Sequence, residues 1–202
     1  MCALDIRPAI GTDRLILRGP TAADAPVMAE LANDLGVAGN VSRMPFPYTQ
    51  AHADEGLARI ARHDARQEVA FAIEHRGFGF MGMLHFHERQ PGRPEVGYWL
   101  GRPFWGRGYA TEALEGGLRW AKGDWGRNAV WAGHFADNPA SGQVLSKAGF
   151  LYTGDVEQQD CLARGRKVAS RRMVWLASSP GGVARAAPPP VFPIFDGAER
   201  QL

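Results

Sequence analysis

The stretch RPFWGRGYATEA, residues 102–113, sets two glycines and two arginines between a strand-like run and a helix-like run. Before it, EVGYWLG (95–101) reads as a strand. After it, Ala110, Leu114, Gly117, Leu118, Ala121 and Trp125 recur at helical spacing, with Thr111, Glu112, Glu115, Arg119 and Lys122 facing away. One reading is a plain glycine turn with a solvated arginine. The other is an anion site. Glycines let backbone N–H groups approach a ligand, and a helix start carries unpaired N–H groups and a positive partial charge. Arg107, with Arg102 nearby, adds forked donors. A pyrophosphate suits all three.

Two familiar phosphate loops fit poorly. A dinucleotide fingerprint needs a third glycine, whereas the spacing here is Gly106-x-Gly108-x-x-Thr111. The strand also follows an antiparallel-looking meander, and no acidic ribose partner is evident about 20 residues on. A Walker loop needs a Gly-Lys-Ser/Thr ending, which is absent.

Composition narrows the class. The chain has 202 residues, 45% hydrophobic and 22% charged, which suits one globular domain plus a tail. A formal charge of +2 is too small to point to nucleic acid or an anionic membrane, so any positive site is local. Cys2 and Cys161 are too few for a disulfide framework or a cysteine-based zinc site. The start, MCALDIRPAI, does not read as a secretory signal, and no run reaches the roughly 20 apolar residues of a membrane span. The expectation is a soluble protein of a reducing cytoplasm.

Working outward, DRLILRG (13–19) alternates Leu15 and Leu17 against Arg14, Ile16 and Arg18, which suits a strand near a sheet edge. Thr21 and Asp24 have capping-box spacing and open an Ala-rich helix to about Asn33. VSRMPFPYT (41–49) is a connector. A helix follows Thr49, with Ala53, Leu57, Ile60 and Ala61 on one face. EVAFAIEH (68–75) and FGFMGMLHFH (78–87) are strands joined by a turn around Gly77, and ERQPGRP (88–94) turns the chain into EVGYWLG.

Downstream, NAVWAGHFAD (128–137) is a strand, and Asn138-Pro139 starts a helix to about Ala148, with Gly149 as its stop. Two strands, roughly 150–159 and 167–177, form a hairpin. Gly116-Gly117 inside the long helix costs about 1 kcal/mol per glycine against alanine, which leads us to expect another backbone packed closely there. This order of elements implies an α+β fold with a mixed sheet and one parallel crossover. The domain is expected over 1–177. A Pro/Gly/Ala-rich tail follows at 178–202, with Val191, Phe192, Ile194 and Phe195 as candidate anchors.

A second motif follows one crossover later. NPASGQVLSKAGF (138–150) puts Asn138 and Ser141 in the first turn of a helix just beyond a strand end. Alone, Asn138 reads as an N-cap and Lys147 as a solvated helix-end cation. Together, residues 95–121 and 138–150 resemble the GNAT superfamily of N-acetyltransferases. They look closest to the RimJ/RimL-like branch of ribosomal-protein N-terminal (alanine) acetyltransferases. TDRLILRGPTAAD (12–24) and RMPFPYTQAHADEGL (43–57) are similar to that branch as well, so the match runs in order over about residues 11–177.

The resemblance implies a mostly antiparallel sheet of six to seven strands with one parallel splayed pair and helices on both faces. It implies acetyl-CoA as acyl donor and no metal, with pantetheine lying in the V between the splayed strands. By position, the backbone near Leu100 would pair with the pantetheine amides. Trp105, Gly106, Arg107, Gly108, Tyr109, Ala110 and Thr111 would hold the cofactor's pyrophosphate end, and Asn138 and Ser141 would approach from the other side. Two positions depart from the superfamily pattern: Pro103 stands where Gln or Arg is common, and Leu145 stands where many members have a Tyr that protonates the thiolate.

Amine acetylation needs a neutral amine, a polarised thioester carbonyl and a proton for the leaving thiolate. Glu95 is the candidate base, acting directly or through water; the alternative is that it caps a turn or pairs with Arg93. Ser141 is the candidate proton donor, or else a hydroxyl that only binds cofactor. His85 and His87 face one side of a strand and His134 lies beyond the crossover, but no carboxylate or cysteine ligands accompany them, so zinc is not expected. Arg43, Phe46 and Tyr48 are candidates for shaping the acceptor site, against ordinary loop packing. The expected function is transfer of acetyl from acetyl-CoA to a primary amine, at a protein or peptide N-terminus or on a small molecule, by a monomer or homodimer. The alternative is a catalytically silent acyl-CoA-binding module.

Overall fold

The computed structural model describes residues 9–177. The expectations for the first eight residues and for the 178–202 tail lie outside the described residues. The elements are β1 (Ile10–Gly11), β2 (Leu15–Arg18), α1 (Ala25–Ala32), α2 (Leu35–Ala38), α3 (Gln50–Arg62), β3 (Glu68–His75), β4 (Gly79–Gln90), β5 (Arg93–Leu100), α4 (Tyr109–Gly123), β6 (Ala129–Phe135), α5 (Pro139–Lys147), β7 (Leu151–Cys161) and β8 (Arg166–Leu176).

The strands form one sheet in the order β1-β2-β3-β4-β5-β6-β8-β7. Its eight strands exceed the six to seven expected. The addition is β1, whose two residues are too few for any periodicity to reveal. Every neighbouring pair is antiparallel except β5 and β6, which the α4 crossover makes parallel. Those two strands share a single registered pair, Glu95 with Trp131. Beyond it they part, and the sheet opens into a V.

Strand alternation divides the sheet into two working faces. Leu15, Leu17, Phe71, Ile73, Leu84, Phe86, Val96 and Leu100 pack with residues of α4 and α5. Ala70, Ala72 and Met83 point the other way and pack with Ala25, Met28 and Ala32 of α1 and Ala53 and Leu57 of α3. The glycine pair of α4 serves this packing, though not as expected. A Cβ at Gly117 would stand 2.5 Å from Leu84 Cδ2 of β4 and one at Gly116 2.9 Å from Thr12 Cγ2 in the turn between β1 and β2, so the close neighbours are side chains rather than a backbone. The glycines let α4 lie low on the sheet, which sets the height of the loop before it.

Local chemistry explains the helix starts. Thr21 and Asp24 form the capping box that their spacing indicated, around a 3-10 turn that leads into α1. Burial works to raise the Asp24 pKa, yet the bonds from Arg18 and Thr21 hold it below its ordinary value. Thr49 caps α3 by accepting from the His52 N–H. The four-residue α2, capped by Asp34, has no counterpart in the sequence reading. No helix among the described residues is long and apolar enough to cross a membrane.

Candidate active site

A cavity of about 320 Å³ fills the V and continues to the start of α4. Tyr98, Leu100, Trp105, Gly106, Gly108, Tyr109, Ala110 and Thr111 line it from the β5 side, and Asn138, Ser141 and Lys147 from the α5 side. Gly36, Val37, Asn40 and Val41, from α2 and the turn after it, form a third wall. Of the residues assigned to catalysis or to holding the cofactor, all but two therefore converge on one space. The Arg107 side chain is exposed and does not line the cavity, and Glu95 lies outside it.

The glycine loop has the geometry its composition allows. Gly106 and Gly108 have φ of 73° and 79°, a region that favours glycine. Gly108 is the N-cap of α4 and supplies no capping side chain, so the first helical N–H groups are left for another acceptor. The loop is held from beneath by Arg14 of the segment before β2. Arg14 Nη1 donates to the Arg107 carbonyl at 3.0 Å, its guanidinium lies 4.4 Å from the Tyr109 ring centre, and its Nε donates to Glu112 at 2.7 Å. Thr12 also donates to Glu112, at 2.6 Å. Burial acts to raise the Glu112 pKa, but these bonds outweigh it and lower the pKa overall. Sequence reasoning turned Glu112 toward solvent; its partners lie about a hundred residues away and leave no local trace.

Arg102 is spent elsewhere. Its Nε and Nη2 each donate at 2.6 Å to the Asp34 carboxylate, and this pairing lowers the Asp34 pKa to about 2. The pair ties the wall formed by α2 to the loop. Trp105 Nε1 donates to the Leu100 carbonyl at 2.7 Å, so that carbonyl is already engaged at the end of β5.

Across the V the α5 wall is organised by Asn138, whose side chain accepts from the Ser141 N–H at 3.2 Å. Ser141 Oγ is 2.9 Å from the Tyr98 hydroxyl, which also lies 3.1 Å from the Ser141 carbonyl. This bridge from β5 to α5 crosses the floor of the cavity. Burial pushes the Tyr98 pKa up to about 12, with the bond to Ser141 opposing, so the phenol keeps its proton. Sequence reading missed Tyr98 because an aromatic in a strand reads as core. Leu145 is fully buried in the core. His134 is buried under Gly142 of α5 and hydrogen-bonds the Tyr152 hydroxyl at 3.0 Å.

On the opposite face, at the root of the V, Glu95 accepts from Arg172 Nη1 at 3.2 Å and from Nη2 at 2.9 Å. This pairs Glu95 with Arg172 of β8, while Arg93 stacks over Trp131. Arg172 is 3% exposed; burial acts to lower its pKa, and Glu95 reverses the sign. Two residues on from Glu95, Gly97 faces the same side, and a Cβ built there meets nothing within 4 Å. Of the loop candidates, Tyr48 packs in the core, Phe46 is exposed, and Arg43 lines a second cleft with Glu157 and Asp160. No group of His, Cys, Asp or Glu among the described residues is arranged to hold a metal ion.

Residues 14–151 match the acetyltransferase (GNAT) domain family, covering the glycine loop and both walls of the V. The chain belongs to the GNAT acetyltransferase family. A relative in Bacillus subtilis (strain 168), described as the uncharacterized N-acetyltransferase YoaA, is 28% identical over 159 residues, covering 75% of this chain and 87% of that protein. Among solved structures, RimJ of Mycobacterium smegmatis in complex with CoA-disulfide is similar with a TM-score of 0.75 and 20% identity, over 85% of this chain and 88% of that one. RimL, a ribosomal L7/L12 alpha-N-protein acetyltransferase in complex with coenzyme A, gives 0.73 and 18%, over 84% and 98%. The microcin C7 self-immunity acetyltransferase MccE, in complex with acetyl-CoA and AMP, gives 0.70 and 19%, over 82% and 93%. This GNAT protein is accordingly an N-acetyltransferase, and acetyl-CoA is the acyl donor of its family.

Proposed function

We propose that the cavity binds acetyl-CoA and that this enzyme acetylates the α-amino group of a protein or peptide, as the name of RimL describes for that protein. The observation that carries the reading is the V itself. Two parallel strands joined at one registered pair diverge beyond it, and a glycine-lined helix start stands at the far end of the same cavity. Pyrophosphate oxygens accept from the N–H groups of Gly106 to Thr111, with the helix dipole behind them. Pantetheine lies between β5 and α5.

The acceptor amine enters from the opposite face beside Gly97, where side-chain space is vacant. Glu95, through a water, takes its proton. Ser141 donates to the leaving sulfur in place of the missing Tyr, and Tyr98, which keeps its own proton, holds the Ser141 hydroxyl in place. Positioning of amine and thioester supplies the remainder of the rate.

Free-thiol release from acetyl-CoA tests this against short peptides with free alanyl or seryl N-termini, the same peptides blocked at the N-terminus, and spermidine. Turnover confined to the unblocked peptides is expected. Turnover on spermidine alone moves the acceptor to a small amine, and CoA binding without turnover on any acceptor favours the silent acyl-CoA-binding module.

A further inference from the structure

Three histidines and a carboxylate on the acceptor face take no part in the site as described. Glu68 of β3 has Oε1 2.6 Å from His85 Nε2 and Oε2 2.6 Å from His63 Nδ1. His63 closes α3, while His85 and His87 lie on β4 with rings 5.2 Å apart. His87 stands directly opposite Glu68 on one side and opposite Glu95 on the other. Residues paired this way across antiparallel strands share a face, with Cβ atoms roughly 4.5–5.5 Å apart.

Glu95 is in turn bound by Arg172 of β8, and Arg172 Nε lies 3.6 Å from Glu157 of β7. Among the described residues, the charged and titratable groups facing this row include His63 from α3, Glu68 from β3, His85 and His87 from β4, Glu95 from β5, Arg172 from β8, and Glu157 and Asp155 from β7, both of which act on Arg172. One end lies at the root of the V. At the other, the side chains of His63 and His85 are each 26% exposed. Burial acts to raise the Glu68 pKa, but the bond to His85 and the charges of the three histidines keep it below its ordinary value.

The reaction has a proton to dispose of. An N-terminal amine with a pKa of about 8 arrives largely as ammonium at neutral pH. Its acetylation is R–NH3+ plus acetyl-S-CoA giving R–NH-acetyl, CoA-SH and one H+. One N–H proton leaves before attack. The N–C bond then forms, the C–S bond breaks, and a second N–H proton ends on sulfur. The first proton has to leave the acceptor side of the sheet for solvent.

We propose that Glu95, His87, Glu68 and His85 form the exit path for that proton, a role that rests on the acetyltransferase reading of the V. The ammonium gives its proton to the Glu95 carboxylate, directly or through water. Arg172 already occupies both oxygens of Glu95, so the proton passes on rather than staying. The His87 imidazole accepts on one nitrogen and releases from the other. Glu68 receives that proton, and His85 or His63 hands it to solvent. Each transfer breaks one N–H or O–H bond and makes another, and no further reactant is needed.

The test is His87→Gln and Glu68→Gln in the thiol-release assay with the seryl and alanyl peptides, first in dilute buffer and then with added imidazole. The expected result is a kcat lower by about ten- to a hundredfold in dilute buffer, an unchanged KM for acetyl-CoA, and recovery of most of the loss with imidazole. A purely structural role of these side chains does not respond to a dissolved proton carrier. If His87→Gln does not fold, the double variant His63→Asn/His85→Asn, which removes both exits at the exposed end, carries the same comparison. A variant as fast as wild type in dilute buffer, or a loss that imidazole does not recover, overturns the path alone. Absence of wild-type turnover on any acceptor overturns the acetyltransferase reading and the path with it.

Discussion

The two faces of the sheet at the V are built from different materials. The donor face uses backbone: two glycines with positive φ, a bare helix start and a polar turn at Asn138, contributed by two stretches of chain. The acceptor face uses side chains, with Glu68, His87, Glu95 and Arg172 coming from four strands. A backbone cradle tolerates many side chains but few changes of φ. A side-chain row tolerates backbone adjustment but no loss of a charged partner. The two faces should therefore fail in different ways.

The largest effect is expected on the acceptor face, in stability. Arg172→Met removes a nearly fully buried cation from a carboxylate that is itself 9% exposed. Breaking a buried pair from one side costs about 3–5 kcal/mol, whereas replacing both members with apolar residues costs far less. Denaturant unfolding of Arg172→Met beside the double variant Arg172→Met/Glu95→Leu measures this. Equal destabilisation of the two would mean that the pair is not the buried unit described.

Binding comes next, and here the faces separate most cleanly. Gly108→Val forces a branched side chain into φ of 79°, with strain of about 1–3 kcal/mol falling on the loop. We expect acetyl-CoA affinity to drop about a hundredfold by calorimetry, with the fold kept. Gly97→Leu adds bulk to an open space without a positive φ. It should leave that affinity unchanged and raise the acceptor KM by about tenfold, the signature of lost acceptor binding. A loss of acetyl-CoA binding in Gly97→Leu would merge the two faces into one site.

The same contrast explains what could be read from the sequence. Glycine spacing, a helix start and an N-cap are local, so Gly106, Gly108 and Asn138 announce themselves within a dozen residues. Capping chemistry at Thr21 and Thr49 was legible for the same reason. Arg14 and Glu112, Glu95 and Arg172, and Tyr98 and Ser141 are partners separated by 98, 77 and 43 positions. Which residue meets which depends on the strand order β5-β6-β8 and on register, and neither follows from alternation alone. His85 and His87 were placed on one side of a strand, but the carboxylate among them belongs to a neighbouring strand, and only the pairing of β3 with β4 brings it there.

The smallest effect concerns the join between the loop and the α2 wall. Asp34 is held by Arg102, and its folded pKa of about 2 lies below the ordinary 3.8. A depressed carboxylate pKa contributes stability that is fully present above the unfolded value and is lost as pH falls through the folded one. Asp34→Asn should thus melt slightly below wild type at pH 6, and the gap should close between about pH 4 and pH 2. The side chains are 28% and 59% exposed, so the gap is small and narrows in high salt. The pair also joins two walls of the donor cavity, so the same substitution should weaken acetyl-CoA binding slightly and leave the acceptor KM alone. An Asp34→Asn variant that instead altered acceptor KM would place this join on the acceptor side, and the division between a backbone-built and a side-chain-built face would have to be redrawn at α2.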